Sequence, residues 1–571
     1  MATGLAVSGC SLSAPEGESS PPAASSRDAS AEAADEKPAK PRDLDLGIGT
    51  GWGPSRAEVR EAVRLVRAMS LRDLAGQVIV TDYLGTDAPV DLVDRLHLGG
   101  VILFDRNIAS SRGAREQMRT LRRSTERPWP LWISADQEGG LVERLQHDLT
   151  RFPSFMSAGA ADRPGAVRAA ARASGRELAW LGLTADFAPV ADVTAGPADP
   201  TIGSRSASEF TKRAARAVTA AVRGYSSAGV VPVVKHFPGH GAAPSDSHLT
   251  LPVLDRPRSG LRSIDLAPFR AAIDDGVPAI MVGHLDVRAI APGKVSSLSS
   301  AIVTDLLRKR LGFAGLVTTD ALDMAAVTGR AGSAESAVRA LRAGVDLLVM
   351  PPDPRAARDG IVAAVRAGEL PLRRLRQAAA RQGALMLHRQ ARVRAGATAA
   401  PRPPGSARDA SWRLSRAAVT QVAGECGVRQ IDGRVMLTGP ADDVATLGSA
   451  FRTYGVEVYT PPPPPEEPPE PDRRGARRQG ASPSPSAAPA PPPIPADVMK
   501  VAVTGFRGGP VTGDVVVSTD TPWSLAASSA PVKIAAYGDT TGAMRAVVQV
   551  LLGRRAPGTL PVRLDGVDKG C

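Results

Sequence analysis

Between residues 55 and 395 the chain carries eight short runs rich in Val, Ile and Leu, at 77–83, 99–104, 131–135, 183–187, 230–234, 278–282, 315–319 and 345–350. Longer Ala-, Arg- and Leu-rich stretches of helical period lie between most of them, for example 111–124, 166–181, 208–228 and 298–310. Short apolar runs alternating with amphipathic segments predict parallel strands joined by helices. Eight such units in succession, with polar groups after nearly every strand, favour a closed (β/α)8 TIM-like barrel over an open doubly wound sheet. The barrel is placed at 46–395.

A linker rich in Ala, Pro and Arg follows at 396–410, and a smaller α/β sandwich domain is expected at 411–571. Its predicted strands are 435–438, 456–459, 501–504 and 515–518, with a helix near 543–552. A proline-rich insert at 461–495 cannot pack a core and reads as a solvated loop with polyproline character.

The first 45 residues read differently. Val7-Ser8-Gly9-Cys10 matches a bacterial lipobox at those four residues, but the stretch before it lacks a basic region and is short for a signal peptide. Either the true start lies upstream or the match is chance. Up to residue 45 the chain then holds Ser, Ala, Pro and Glu and almost no large apolar residue, the composition of a disordered tether. A lipidated Cys10 followed by a tether places the protein on the outer side of the cell membrane, held by a lipid anchor; the alternative is a secreted or cytoplasmic protein. The two further cysteines, Cys426 and Cys571, would either pair in an exported protein or stay as unrelated thiols.

The net charge of +12 permits a nucleic-acid partner. However, the basic residues are scattered among acidic ones and form no stripe with interleaved aromatics, so none is expected. A monomer is expected.

Chemistry gathers at the strand ends. Asp136-Gln137-Glu138-Gly139-Gly140 follows the third run. Pro189, Val190, Asp192 and the segment Ile202-Gly203-Ser204-Arg205-Ser206 follow the fourth, Gly283-His284 the sixth, and Thr319-Asp320 the seventh. After the fifth come Lys235-His236-Phe237-Pro238-Gly239-His240-Gly241 and Asp246-Ser247-His248, which hold three of the seven histidines. In a barrel these ends share one mouth. Asp246 and His248 can hold an imidazole against a carboxylate as a proton-transfer pair. His236 and His240 have the spacing of a zinc pair, but Pro238 and Gly239 forbid the helix that would align them, so no metal is expected. His284 fits a pocket wall or a satisfied core position equally. His97, His147 and His388 read as structural or solvated.

These motifs, together with Gly99-Gly100-Val101-Ile102-Leu103-Phe104, Phe187-Ala188-Pro189-Val190 and Gly558-Thr559-Leu560-Pro561-Val562, resemble glycoside hydrolase family 3, specifically its NagZ-type β-N-acetylglucosaminidase branch in a lipoprotein form. They run in family order across the barrel. The resemblance implies a retaining exo-enzyme that releases terminal β-linked GlcNAc from peptidoglycan fragments or chitooligosaccharides, without a cofactor. Asp320 would be the nucleophile and His248, oriented by Asp246, the acid/base. Asp136, Arg205, Lys235 and His236 would bind the sugar, with Arg144 and His240 supporting them. Leu141 departs from the pattern, standing where many relatives carry Arg. The alternatives are a β-N-acetylglucosaminide phosphorylase or β-glucosidase of the same fold, or, from another class, a non-catalytic cell-wall-binding lipoprotein.

Overall fold

Each of the eight apolar runs forms a strand in the computed structural model, which describes residues 46–146, 148–462, 493–505, 508–509, 511–567 and 571. Cys10 with its tether, His147 and most of the 461–495 insert lie outside the described residues. The strands are β1 (Ile79–Thr81), β2 (Gly100–Ile102), β3 (Trp132–Ser134), β4 (Ala185–Asp186), β5 (Val231–Phe237), β6 (Ala279–Val282), β7 (Leu316–Ala321) and β8 (Leu347–Val349). Neighbours in sequence are parallel neighbours in space, and β8 pairs with β1. The ring closes between β3 and β4, where the Thr184 and Phe187 N–H groups donate to the carbonyls of Ile133 and Ala135 at 2.8 and 2.9 Å. Strands of a closed parallel barrel are covered on both faces, which is why they read as unbroken apolar runs and not as alternating ones.

The helices follow their apolar period. Ser110 caps helix Ser111–Ser124 by accepting the Gly113 N–H, and Ala114, Met118 and Leu121 turn one face inward. Helix Arg56–Arg67 starts in a capping box between Ser55 and Glu58 and packs on the long helix Leu372–Arg394.

A polar cluster secures the end of the barrel away from the site. Asp346, which leads into β8, is fully buried and accepts the Val317 N–H at 3.0 Å. Arg308, Arg374 and Arg381 all pair with its carboxylate. Burial would raise this carboxyl, but the three guanidiniums and the Val317 N–H hold it below its ordinary value.

Residues 396–407 lie along the barrel. Ala399 donates to the Ser227 carbonyl at 2.7 Å, and Ala407 to Glu177 at 2.8 Å. The second domain is a five-stranded sheet of β9 (Thr420–Ala423), β10 (Arg434–Thr438), β11 (Val498–Thr504), β12 (Val515–Ser518) and β13 (Val532–Ala535), in the order β9-β13-β12-β11-β10. All pairs are parallel except β9 with β13. Alternate residues serve two cores. Val501, Val503, Val515, Val517 and Ile534 pack with helices Ala441–Thr453 and Thr541–Leu551. Ala502, Val516 and Ala535 join the core that runs into the barrel. Period-two alternation thus places the barrel on one face of the sheet and helices on the other.

Two strands, β9 and β13, were not expected from the sequence. The run at 456–459, expected as a strand, makes one parallel bridge, Val458 beside Val435. Prolines begin at 461 and lack the N–H that would continue the ladder. Cys426 and Cys571 are joined by a disulfide across 145 residues, and the Cys571 N–H donates to the Gln421 carbonyl at 2.8 Å. Among the described residues no helix is long and apolar enough to cross a membrane.

Candidate active site

The C-terminal strand ends surround a pocket of about 270 Å³. Its walls include Asp136, Glu138, Arg144, Arg205, Lys235, His236, His240, His248 and Asp320, with Phe104, Phe187, Met281 and Met324 as apolar surface. The residues assigned from the sequence to catalysis and sugar binding therefore meet at one mouth, apart from Asp246, which reaches it through His248.

Lys235 and His236 lie on β5 itself, because that strand runs three residues further than its apolar segment, to Phe237. The Lys235–His236 and Phe237–Pro238 peptides are cis. Lys235 is 2% exposed, and its ammonium pairs with Asp136 and lies 2.7 Å from Glu138 Oε1. Arg205, on the turn Gly203–Arg205, grips Glu138 with two bonds of 2.8 Å. Burial would raise the Glu138 carboxyl, but Arg205 and Lys235 hold it far below the usual carboxylate range. Burial pulls Lys235 down, yet Asp136 and Glu138 raise it overall. The result is a fixed acid–base lattice with its charges in place before any ligand arrives.

Glu138 and Asp192 were not picked out as site residues from the sequence. Glu138 carried a readable signal, since it stands two residues after Asp136 on an extended segment and so shares its face. Asp192 is fully buried and anchors two histidines. Its carboxylate takes His236 Nδ1 at 2.7 Å and the backbone N–H groups of His236 and His240 at 3.2 and 2.7 Å. Burial would raise Asp192, but His236 and His240 lower it overall. Burial pulls the His240 ring down to about 4, which favours its neutral form, and among the described residues neither ring nitrogen has a hydrogen-bond partner.

Asp320 stands near the end of β7, and its Oδ1 accepts the Ala321 N–H at 2.9 Å. Burial opposes ionisation, but His236, His284, the Ala321 N–H and Lys235 outweigh it, so the carboxyl stays below its ordinary value. His284 is a satisfied core residue. It is fully buried, with Nδ1 2.7 Å from Ser297 Oγ and Nε2 2.9 Å from the Ala321 carbonyl. His97 pairs with Asp73 at 3.2 Å and His388 with Glu58 at 3.1 Å, both away from the pocket.

At the rim, His248 is 64% exposed and its Nδ1 is 2.7 Å from Asp246 Oδ1. The same oxygen accepts the His248 N–H at 2.9 Å, closing a tight turn that fixes the ring to the carboxylate. Arg144 lines the pocket and donates its N–H to the Asp136 carbonyl at 3.1 Å. Leu141 is exposed at the hairpin turn between Gln137–Gly139 and Val142–Glu143. The pocket thus combines a half-buried carboxylate held in its ionised form, an exposed imidazole tied to a second carboxylate, and a lattice of fixed donors and acceptors suited to hydroxyl-rich ligands.

Residues 70–384 match the model of the "Glycosyl hydrolase family 3 N terminal domain". Among curated proteins, the chain is similar to beta-hexosaminidase A of Pseudoalteromonas piscicida, 35% identical over 280 residues, covering 46% of this chain and 47% of that protein. The chain therefore spans about half the length of that relative. It is 37% identical over 317 residues to beta-hexosaminidase LpqI of Mycobacterium tuberculosis, covering 53% of this chain and 79% of that one. Among solved structures, a glycoside hydrolase family 3 beta-N-acetylglucosaminidase from Paenibacillus sp. str. FPU-7 superposes with a TM-score of 0.72 at 29% identity, covering 87% of this chain and 99% of that one. Matched along the barrel that builds the pocket, the chain belongs to glycosyl hydrolase family 3.

Proposed function

We propose that this enzyme is a retaining exo-β-N-acetylglucosaminidase acting on peptidoglycan fragments or chitooligosaccharides. One observation carries the reading: an ionised Asp320 in the pocket wall, with the His248–Asp246 pair on the rim of the same pocket. In the first step an Asp320 oxygen attacks the anomeric carbon and the bond to the leaving oxygen breaks. His248, as imidazolium, gives that oxygen its proton. In the second step the neutral His248 takes a proton from water, the water oxygen displaces Asp320 from the anomeric carbon, and β-GlcNAc leaves. Imidazole suits both transfers because the ordinary pKa of an imidazole lies near neutrality, and the bond from Nδ1 to Asp246 fixes the ring's orientation.

Asp136, Arg205, Lys235, His236 and Arg144 hold the terminal sugar through its hydroxyls and acetamido group. Glu138 keeps Arg205 and Lys235 in place. The names of the relatives support a hexosamine substrate. Location on the outer membrane face through lipidated Cys10 suits a cell-wall substrate. Its test is incorporation of labelled fatty acid, lost in Cys10→Ala.

A panel of aryl β-GlcNAc and aryl β-glucoside substrates, with and without inorganic phosphate, tests the activity. Release of free GlcNAc in both buffers is expected. GlcNAc-1-phosphate formed in the presence of phosphate would replace hydrolysis with phosphorolysis, a preference for the glucoside would overturn the hexosamine assignment, and no turnover of either would favour a binding protein.

A further inference from the structure

The turn that presents Arg205 to the pocket is held from two sides. On the barrel side, the Asp199 carboxylate accepts the N–H groups of Thr201, Ile202 and Gly203 at 3.1, 2.8 and 3.2 Å. Ser206 Oγ donates to the Asp192 carbonyl at 2.7 Å. Between these anchors, Ser204 turns away from the barrel and its hydroxyl donates to Asp520 of the second domain. Both are buried, at 1% and 8% exposure. The next residue, Thr521, reaches the same turn, with its Cγ2 3.7 Å from where a Cβ on Gly203 would stand.

Asp520 lies just beyond β12 (Val515–Ser518), at the C-terminal edge of the parallel sheet. That edge is where ligands usually bind in open α/β folds. Here it grips a loop of the barrel mouth. The hydroxyl–carboxylate bond is charge-assisted, hence short and directional. Arg205 is the residue after Ser204, and its planar fork must meet both Glu138 oxygens and the ligand, so a small displacement of the turn misaligns it.

We infer that Asp520 is a positioning residue for sugar binding: acting through Ser204, it sets the aim of Arg205. The second domain therefore contributes to substrate affinity through a residue that stands outside the pocket wall. This rests on the reading of Arg205 as a sugar-binding residue.

The test is a steady-state comparison on an aryl β-GlcNAc substrate with the full chain, with melting temperature as the fold control. Asp520→Ala and Ser204→Ala should each raise KM by about tenfold and change kcat by less than about threefold. The double variant should be no worse than Asp520→Ala alone, because Ser204→Ala removes a bond that Asp520→Ala has already broken. Asp520→Asn keeps an acceptor for the Ser204 hydroxyl and should return KM to within about threefold of the parent. If Asp520→Ala does not fold, Ser204→Ala carries the comparison. Arg205→Ala separates the two layers of the argument. If it raises KM while Asp520→Ala and Ser204→Ala leave KM unchanged, or if those two effects add in the double variant, the positioning role is overturned. If Arg205→Ala itself leaves KM unchanged, the sugar-binding reading falls and this inference falls with it.

Discussion

The Lys235 ammonium lies 2.7 Å from Glu138 Oε1, with both side chains only 2% exposed. Glu138 also takes both bonds from Arg205, so one carboxylate is shared by two buried cations, with Asp136 as the second partner of Lys235. Glu138→Ala leaves Arg205 without its paired carboxylate and Lys235 with Asp136 alone, and a loss of about 3–5 kcal/mol in unfolding free energy is expected. Urea denaturation measures it, and KM for an aryl β-GlcNAc should rise in the same variant. An unchanged midpoint would mean that Lys235 and Arg205 find other partners.

Asp320→Asn should abolish turnover, by roughly 10⁴-fold or more in kcat. Because its neighbours favour the ionised carboxyl, loss of the charge should also lower the unfolding free energy at neutral pH modestly, which a denaturant titration separates from the loss of turnover. The Asp320 carboxyl sits below its ordinary value of 3.8, so the acid limb of kcat/KM that reports its protonation should fall below that pH. Full activity in Asp320→Asn would rule it out as nucleophile.

The Asp246–His248 pair makes a separable prediction. Asp246 is held below its ordinary value, with burial outweighed by the His248 N–H and ring and by His240. Replacing it with Asn removes the carboxylate that holds the His248 ring through Nδ1 at 2.7 Å, so kcat should fall while KM changes little, a split that steady-state kinetics reads. His248→Ala should cost about 10²–10⁴ in kcat. The loss should be smaller for aryl glycosides whose leaving groups need no proton, and pre-steady-state release of the phenol resolves that step. An equal loss for good and poor leaving groups would remove His248 from the acid role.

At the other end of the barrel, Asp346 should govern acid stability. Its folded pKa is depressed below 3.8 by three guanidiniums, after burial is overcome. A depressed carboxyl contributes stability that is fully present above its unfolded pKa and is lost as pH falls through the folded one. The window therefore lies below about pH 4. Asp346→Asn should lower unfolding free energy at pH 7 by about 3–5 kcal/mol and flatten the dependence on pH below 4, with activity per folded molecule unchanged. Denaturant titrations at several pH values check both.

What the sequence determined by itself was local. Eight strands of buried apolar residues, and helices such as Ser111–Ser124, follow from hydrophobic period and breakers, because those act over a few residues. The residue types for chemistry were legible too: Asp320 at a strand end, and Asp246 two positions before His248. In the second domain β9 was hidden because Thr420–Ala423 follows directly on helix Arg408–Ala418, where one apolar pattern runs into the other. Tertiary structure decided the pairings. Glu138 meets Arg205 and Lys235 across 67 and 97 residues, and Ser204 meets Asp520 across 316. No local period carries such information, since it arises from closing the barrel between β3 and β4 and laying one face of the second sheet against it. The sequence named the chemical groups, and the closed barrel and its neighbouring domain decided which charges neutralise one another and which way Arg205 points.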